Sequence, residues 1–273
     1  MQKITFLLLT IFNCLTLSAA TVDTVSIYSS SMHKKIKCVI IKPENYKNKK
    51  LLFPVVYLLH GHSDSYDYWI KEIPNIKSDA DDFQFILVCP DGGYNSWYFD
   101  RRIDSTRKYE THISQEVVKY VDANYHTIPD RNHRAITGMS MGGHGAFYIA
   151  LRHANIFGAV GSTSGGVDFT PFKTHWQINK QIGDTINFKD NWVNMTIINM
   201  IDHYPASSLS IIFDCGTNDF FHTVNKNLHE KMLQLHIFHD YIELPGEHTN
   251  EYWQNSIDYQ LLFFKKYFSK QKT

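Results

Sequence analysis

The sequence predicts an α/β domain: a mostly parallel central sheet with helices on both faces and a small inserted segment. Three observations predict it. Continuous apolar runs of strand length recur along the chain, among them PVVYLLH at Pro54–His60, FQFILVC at Phe83–Cys89 and LSIIFDC at Leu209–Cys215. Such runs mark strands covered on both faces, which are mostly parallel. Helical periodicity lies between the runs, and strands alternating with helices build a parallel sheet through right-handed crossovers. The 273 residues contain no internal repeat and no low-complexity linker. That length suits one domain, which buries roughly 70–75% of its unfolded surface.

The first twenty residues predict an export leader. Lys3 supplies a positive start, and an apolar run from Ile4 to Leu17 follows, interrupted by a few threonines and Asn13. Ser18-Ala19-Ala20 offers the small residues a signal peptidase accepts. The run is short for a membrane span and has no basic stop after it. A lipid on Cys14 fits poorly behind Asn13. The mature chain, 21–273, is therefore expected to be exported, periplasmic or secreted, after cleavage near Ala20.

Val25–Ile27 and Ile36–Ile41 predict an opening antiparallel pair. Arg134–Met139, Ala159–Thr163 and His239–Leu244 are further strands. Ile113, Val117 and Val121 recur every four residues. Phe221, Val224, Leu228, Met232 and Leu235 form one helical stripe, and Trp253, Ile257, Leu261, Phe264 and Phe268 another. Gly165 to Ser208, with Pro171, Trp176, Gly183, Trp192 and a weakly amphipathic Val193–Ile201 stretch, is expected to be a lid-like insertion.

With 27 basic and 27 acidic residues, nothing in the charge favours nucleic acid or an anionic membrane. The many aromatics suit a large core and an apolar pocket. Without the leader, Cys38, Cys89 and Cys215 remain; Cys89 and Cys215 end apolar runs and are expected to be core residues. No C-x-x-C pair supports a structural zinc.

Gly138-Met139-Ser140-Met141-Gly142 matches G-x-S-x-G, between a strand and a helical run. In that setting a serine sits on a sharp, strained bend that lifts its hydroxyl above a helix N-terminus, where negative charge is favoured. Glycines are needed on both sides because a side chain would meet the neighbouring strand. Ser140 is thus the candidate nucleophile. Backbone N–H groups of His62, in the His60-Gly61-His62 turn, and of Met141 are the candidate oxyanion donors. His60-x-His62-x-Asp64 also resembles part of the H-x-H-x-D-H run of metallo-β-lactamases. Position 65 is Ser65 rather than the closing histidine, and no partner cluster follows, so no metal and no cofactor is expected.

The chain order of such sites is serine, acid, histidine. His248, in the turn PGEHT before the last helical stripe, is the candidate base. Asp219, beyond the end of Leu209–Cys215, is the candidate acid. Asp214 lies inside that run and is expected to be structural; Asp202 and Asp184 fall in the insertion and are weaker. His144, His222 and His229 are expected to be surface or packing residues.

YLLHG at Tyr57, PDGGYNSWY at Pro90–Tyr98, GMSMGG, FDCGTND and PGEHTNEYW come in an order that resembles the putative-esterase, or esterase D-like, branch of the α/β-hydrolases, over nearly the whole mature chain. That branch includes feruloyl and acetyl-xylan esterases, tributyrin esterases, S-formylglutathione hydrolases and mycolyltransferases. The resemblance implies the α/β-hydrolase fold and the triad Ser140, Asp219 and His248. It also implies His62 and Met141 as donors and a pocket wall from Asn95, Trp97 and Tyr98. From the residues alone, that wall could equally be a turn with two packed aromatics. The expected activity is serine esterase action on feruloyl, acetyl or short-chain acyl esters of carbohydrates. The alternatives are a thioesterase of the S-formylglutathione hydrolase kind, an acyltransferase, a non-catalytic binding protein on the same fold, and a metal-dependent hydrolase using His60, His62 and Asp64.

Overall fold

The continuous apolar runs become adjacent strands of one sheet. In a computed structural model of the chain, which describes residues 19–101, 104, 106–203 and 208–271, eight strands pair in the order β1-β2-β4-β3-β5-β6-β7-β8. They are β1 Thr21–Ser29, β2 Lys34–Lys42, β3 Val55–Leu59, β4 Ile86–Pro90, β5 Arg134–Gly138, β6 Ala159–Thr163, β7 Ser210–Gly216 and β8 Asp240–Leu244. From β4 through β3 and on to β8 every pairing is parallel; β1 and β2 pair antiparallel, and β2 joins β4 antiparallel. The fold is the α/β-hydrolase arrangement with a mostly parallel sheet. The expected leader lies almost wholly outside the described residues.

The helices are α1 Tyr68–Glu72, α2 Ile76–Phe83, α3 Tyr109–Thr111, α4 Val118–Asn124, α5 Met141–Arg152, α6 Ile178–Ile182, α7 Lys189–Asn194, α8 Ile197–Met200, α9 His222–Gln234 and α10 Asn250–Ser269. A π turn, His112–Val117, joins α3 to α4. The every-four spacing of Ile113, Val117 and Val121 runs through it, and all three are fully buried. A spacing of four is wider than the 3.6 of an α-helix, which suits a locally underwound turn.

Two apolar layers sandwich the sheet. One holds α5 residues such as Phe147 and Ile149 against Tyr57, Ile136 and Phe213. The other holds the α10 stripe, Trp253, Ile257, Leu261, Phe264 and Phe268, against Val56, Leu58 and Ile212. Alternate residues of each strand therefore face opposite layers. Cys38, Cys89 and Cys215 are buried free thiols. Segment 165–208 carries α6, α7 and α8 between β6 and β7. The amphipathic Val193–Ile201 stretch is not one helix: Thr196 takes extended backbone between α7 and α8. The Met195 carbonyl at this break accepts from His144 Nε2 at 2.9 Å, so a tertiary bond takes a backbone acceptor at the end of α7.

Candidate active site

The bend between β5 and α5 sets Ser140 in place. Its backbone has φ 56° and ψ −117°, a conformation that costs a side-chain residue about 1–3 kcal/mol and persists only where the surroundings impose it. Here the Ser140 N–H donates to the Thr163 carbonyl at 3.0 Å, and the Ser140 carbonyl accepts from the His144 N–H at 3.1 Å. A Cβ on Gly138 would lie 2.6 Å from the Leu59 carbonyl oxygen, and one on Gly142 would run into the same carbonyl. Only glycine lets β3 and the bend pack this closely.

His248 lies between β8 and α10, and Asp219 just past β7. Two backbone bonds zip their loops together: Thr217 N–H to the Leu244 carbonyl and Asn218 N–H to the Gly246 carbonyl, both 2.9 Å. His248 Nδ1 is then 2.8 Å from Asp219 Oδ2, and His248 Nε2 is 2.9 Å from Ser140 Oγ. These partners assign the tautomer: Nδ1–H donates to the carboxylate, and Nε2 accepts from the hydroxyl. The other oxygen, Asp219 Oδ1, accepts from the Phe221 N–H at 2.7 Å. The carboxylate is thus held at both ends, with no exposed side-chain surface. Side chains 108 residues apart in sequence meet at hydrogen-bond distance.

Aromatic rings fix the imidazole plane. Phe220 is tilted over His248 with ring centroids 4.3 Å apart, Phe221 lies at 5.5 Å, and Trp253 stands edge-on at 4.9 Å. Trp176, from the inserted segment, stacks on Phe220 at 5.5 Å. Phe221 and Trp253 read in the sequence as members of apolar helical stripes and Trp176 as part of the insertion, not as site residues, although Phe220-Phe221 directly follow Asp219 and Trp253 lies five residues after His248.

Met141 is the first residue of α5, so its N–H has no partner within the helix. The His62 N–H likewise makes no hydrogen bond among the described residues, while the next N–H, of Ser63, is tied to the Tyr94 carbonyl at 2.7 Å. His60 uses both ring nitrogens on backbone: Nδ1–H donates to the Gly61 carbonyl and Nε2 accepts from the Gly92 N–H, each at 2.8 Å. Among the described residues no group of three or more His, Cys, Asp or Glu side chains is placed to hold a metal ion.

The PDGGYNSWY run lies beside this centre. Asn95 is buried; its Oδ1 accepts from Arg107 at 2.7 Å and its Nδ2 donates to Gln177 at 2.6 Å, which ties it to the inserted segment. Trp97 and Tyr98 are buried and both take positive φ. The Trp97 N–H donates to Met141 Sδ at 3.4 Å, and the Tyr98 hydroxyl donates to the His60 carbonyl at 3.0 Å. In this arrangement the two aromatics form a packed layer behind the serine and offer no open surface.

Asp214 is buried in β7, where it accepts from Thr163 Oγ1 and Gln260 Nε2, each at 2.6 Å. Burial pushes its carboxyl up to about 6 against the pull of these donors. Asp202 pairs with Lys231 at 2.6 Å, and Asp184 closes a surface turn with Asn187. His144 is buried in the aromatic layer, where desolvation pushes its imidazole down to about 4. His222 pairs with Glu243 and His229 with His239.

Residues 29–264 match the model of the Esterase family, described as "Putative esterase". The chain belongs to the Esterase family. Within it, the protein is 25% identical over 238 residues to "Esterase Rv1288" of Mycobacterium tuberculosis, covering 77% of this chain and 52% of that one. It is 30% identical over 156 residues to an endo-1,4-beta-xylanase/feruloyl esterase of Xylanibacter ruminicola, covering 53% of this chain and 22% of that one. The chain thus spans about half, or less, of these two curated relatives. A solved ferulic acid esterase superposes with TM-score 0.79 at 25% identity, covering 91% of this chain and 98% of that one. The family model and these relatives carry esterase in their descriptions. No helix among the described residues is long and apolar enough to cross a membrane.

Proposed function

We propose that this esterase is a serine enzyme working through an acyl-enzyme. The observation that carries the reading is the continuous contact from Asp219 through His248 to Ser140, at 2.8 and 2.9 Å. His248 Nε2 takes the Ser140 proton as Oγ attacks the ester carbonyl. Negative charge collects on the carbonyl oxygen, and the N–H groups of His62 and Met141 receive it; each such donor contributes about 3–4 kcal/mol to the transition state. The His248 imidazolium, steadied by Asp219, returns the proton to the departing alkoxide. Water then repeats the sequence on the acyl-serine and frees the acid. The proposed chemistry uses side chains, backbone donors and water alone.

The proposed substrates are feruloyl, acetyl or short-chain acyl esters of carbohydrates. An aromatic acyl group has support from the half-exposed Phe220 and the Trp176 ring stacked on it, and from the two relatives whose names carry ferulic or feruloyl. A fluorophosphonate probe tests the mechanism, since it phosphonylates only an activated serine. The wild type is expected to gain one label, on the peptide containing Ser140, and to hydrolyse p-nitrophenyl acetate. The absence of both, or a label elsewhere with full activity in Ser140→Ala, would end the proposal.

A further inference from the structure

We infer that Trp176, carried by the inserted segment, is a positioning residue for the proposed proton transfer. Acting through Phe220, it keeps the His248 imidazole aligned with the reacting oxygens, and a clasp between Asn95 and Gln177 holds it in place. This rests on the serine-esterase reading and gives the insertion a part in it.

The first observation is backbone strain. Among the described residues, two pairs of neighbours other than glycine take left-handed backbone in succession: Trp97-Tyr98 at φ 54° and 63°, and Trp176-Gln177 at φ 47° and 55°. A bulky side chain is an outlier there, and such backbone persists only where the surroundings impose it. The two turns hold each other. Asn95 Nδ2 donates to Gln177 Oε1 at 2.6 Å, and the Trp97 and Trp176 rings lie 6.4 Å apart. Arg107 Nη1 donates to Asn95 Oδ1 at 2.7 Å and to Gln181 Oε1 at 3.1 Å, while Arg101 Nη2 donates to the Lys180 carbonyl at 2.6 Å. The strained turn and α6 after it are thus tied to the loop that holds Asn95, which sets where the Trp176 ring lies.

The second observation is that His248 is supported unevenly. The bond to Asp219 anchors Nδ1 but leaves the ring free to rock about that contact. Trp253, buried on α10, blocks this edge-on at 4.9 Å. The closer ring, Phe220 at 4.3 Å, is half-exposed on the loop between β7 and α9. An exposed side chain changes rotamer within nanoseconds unless a neighbour blocks it. Trp176 is such a neighbour, stacked on Phe220 at 5.5 Å with 22° between the planes. A misplacement of about 1 Å in a catalytic group can cost about a hundredfold in rate, so the weaker side of this support is where the insertion has leverage.

Two acetyl esters test the assignment: p-nitrophenyl acetate and ethyl acetate. An acetyl group offers a single methyl, so lost contact with a large acyl group plays no part. Nitrophenolate departs without a proton, whereas ethoxide needs the one His248 returns. A misaligned His248 therefore slows ethyl acetate more, and the kcat/KM ratio of the first ester to the second rises. Trp176→Leu is expected to raise that ratio about fivefold, within what one aromatic pair contributes, through kcat and with little change in KM. Trp176→Phe is expected to restore most of it. Asn95→Ala and Gln177→Ala are each expected to raise the ratio, and the double variant no further, because both break one clasp. The ratio is internal to each preparation, so unfolded protein does not move it. An unchanged ratio in Trp176→Leu, with the wild type taking the fluorophosphonate on Ser140, overturns the positioning role and leaves the serine mechanism standing. A falling ratio, the mark of lost contact with the nitrophenyl ring, overturns it too, as does a Trp176→Phe variant no better than Trp176→Leu. A wild type with no label and no turnover of either ester overturns both readings.

Discussion

Asp214 and Asp219 are both buried, one inside β7 and the other just past its end, and they are held by opposite kinds of partner. Neutral donors from β6 and α10 surround Asp214. Asp219 faces an imidazole on one side and a backbone N–H on the other. Inside the strand, neighbouring strands and the covering helix satisfy a carboxylate locally and seal it in. Past the strand's carboxyl end it meets residues from other loops, where sites in open α/β sheets form. Five positions of chain separate a structural role from one in the proposed proton path.

The sharpest test of that contrast starts from its floor. Ser140→Ala is expected to lower turnover of p-nitrophenyl acetate about a millionfold, leaving what binding and the oxyanion donors supply. Asp219→Asn comes next, with a loss of about 10⁴ in kcat, because an amide favours the wrong imidazole tautomer. Asp214→Asn should cost far less activity but should lower stability by about 1–3 kcal/mol, since its amide N–H would face a donor. Steady-state kinetics and thermal melts on the same preparations separate the two variants. A reversed order of activity loss would exchange the roles assigned to the two carboxylates.

A third carboxylate sharpens the comparison because one of its oxygens has no partner. Asp79 is buried on α2, its Oδ2 makes no hydrogen bond, and burial with Asp258 and Asp82 nearby pushes it up to about 7. A carboxyl raised on folding binds protons more tightly in the native state. Its stabilising contribution is present below about pH 4 and is lost as pH rises through about 7. Asp79→Asn is therefore expected to raise the melting temperature by about 2–4 °C at pH 8, the response of a domain this size to roughly 1 kcal/mol. At pH 4 the gain should vanish; an equal gain at both pH values would remove titration as the cause. The smallest expected effect is none: EDTA should leave p-nitrophenyl acetate hydrolysis unchanged, and a loss restored by added zinc would bring back the metal-dependent alternative.

Much of this was legible in the sequence because it depends on local rules. Buried strands read as continuous apolar runs, and G-x-S-x-G reads as a bend because Leu59 of the neighbouring strand leaves no room for a side chain at Gly142. The positions of Asp219 and His248 followed from where their strands end. What stayed hidden depends on distant partners. Asn95 is clasped by Arg107 and Gln177, which no spacing connects. Trp97 and Tyr98 read as a wall or as packed aromatics, and their burial rests on contacts such as that of the Tyr98 hydroxyl with the His60 carbonyl, which no spacing shows.

The bend at Ser140 carries a practical consequence. Its backbone is held from outside by the Thr163 carbonyl and its hydroxyl by the His248 imidazole, and a loosened chain would surrender both together. Reagent uptake at this hydroxyl should therefore count intact molecules. In a stored or heated sample, the fraction that still reacts becomes a direct gauge of how much protein remains native, with no knowledge of the physiological ester required.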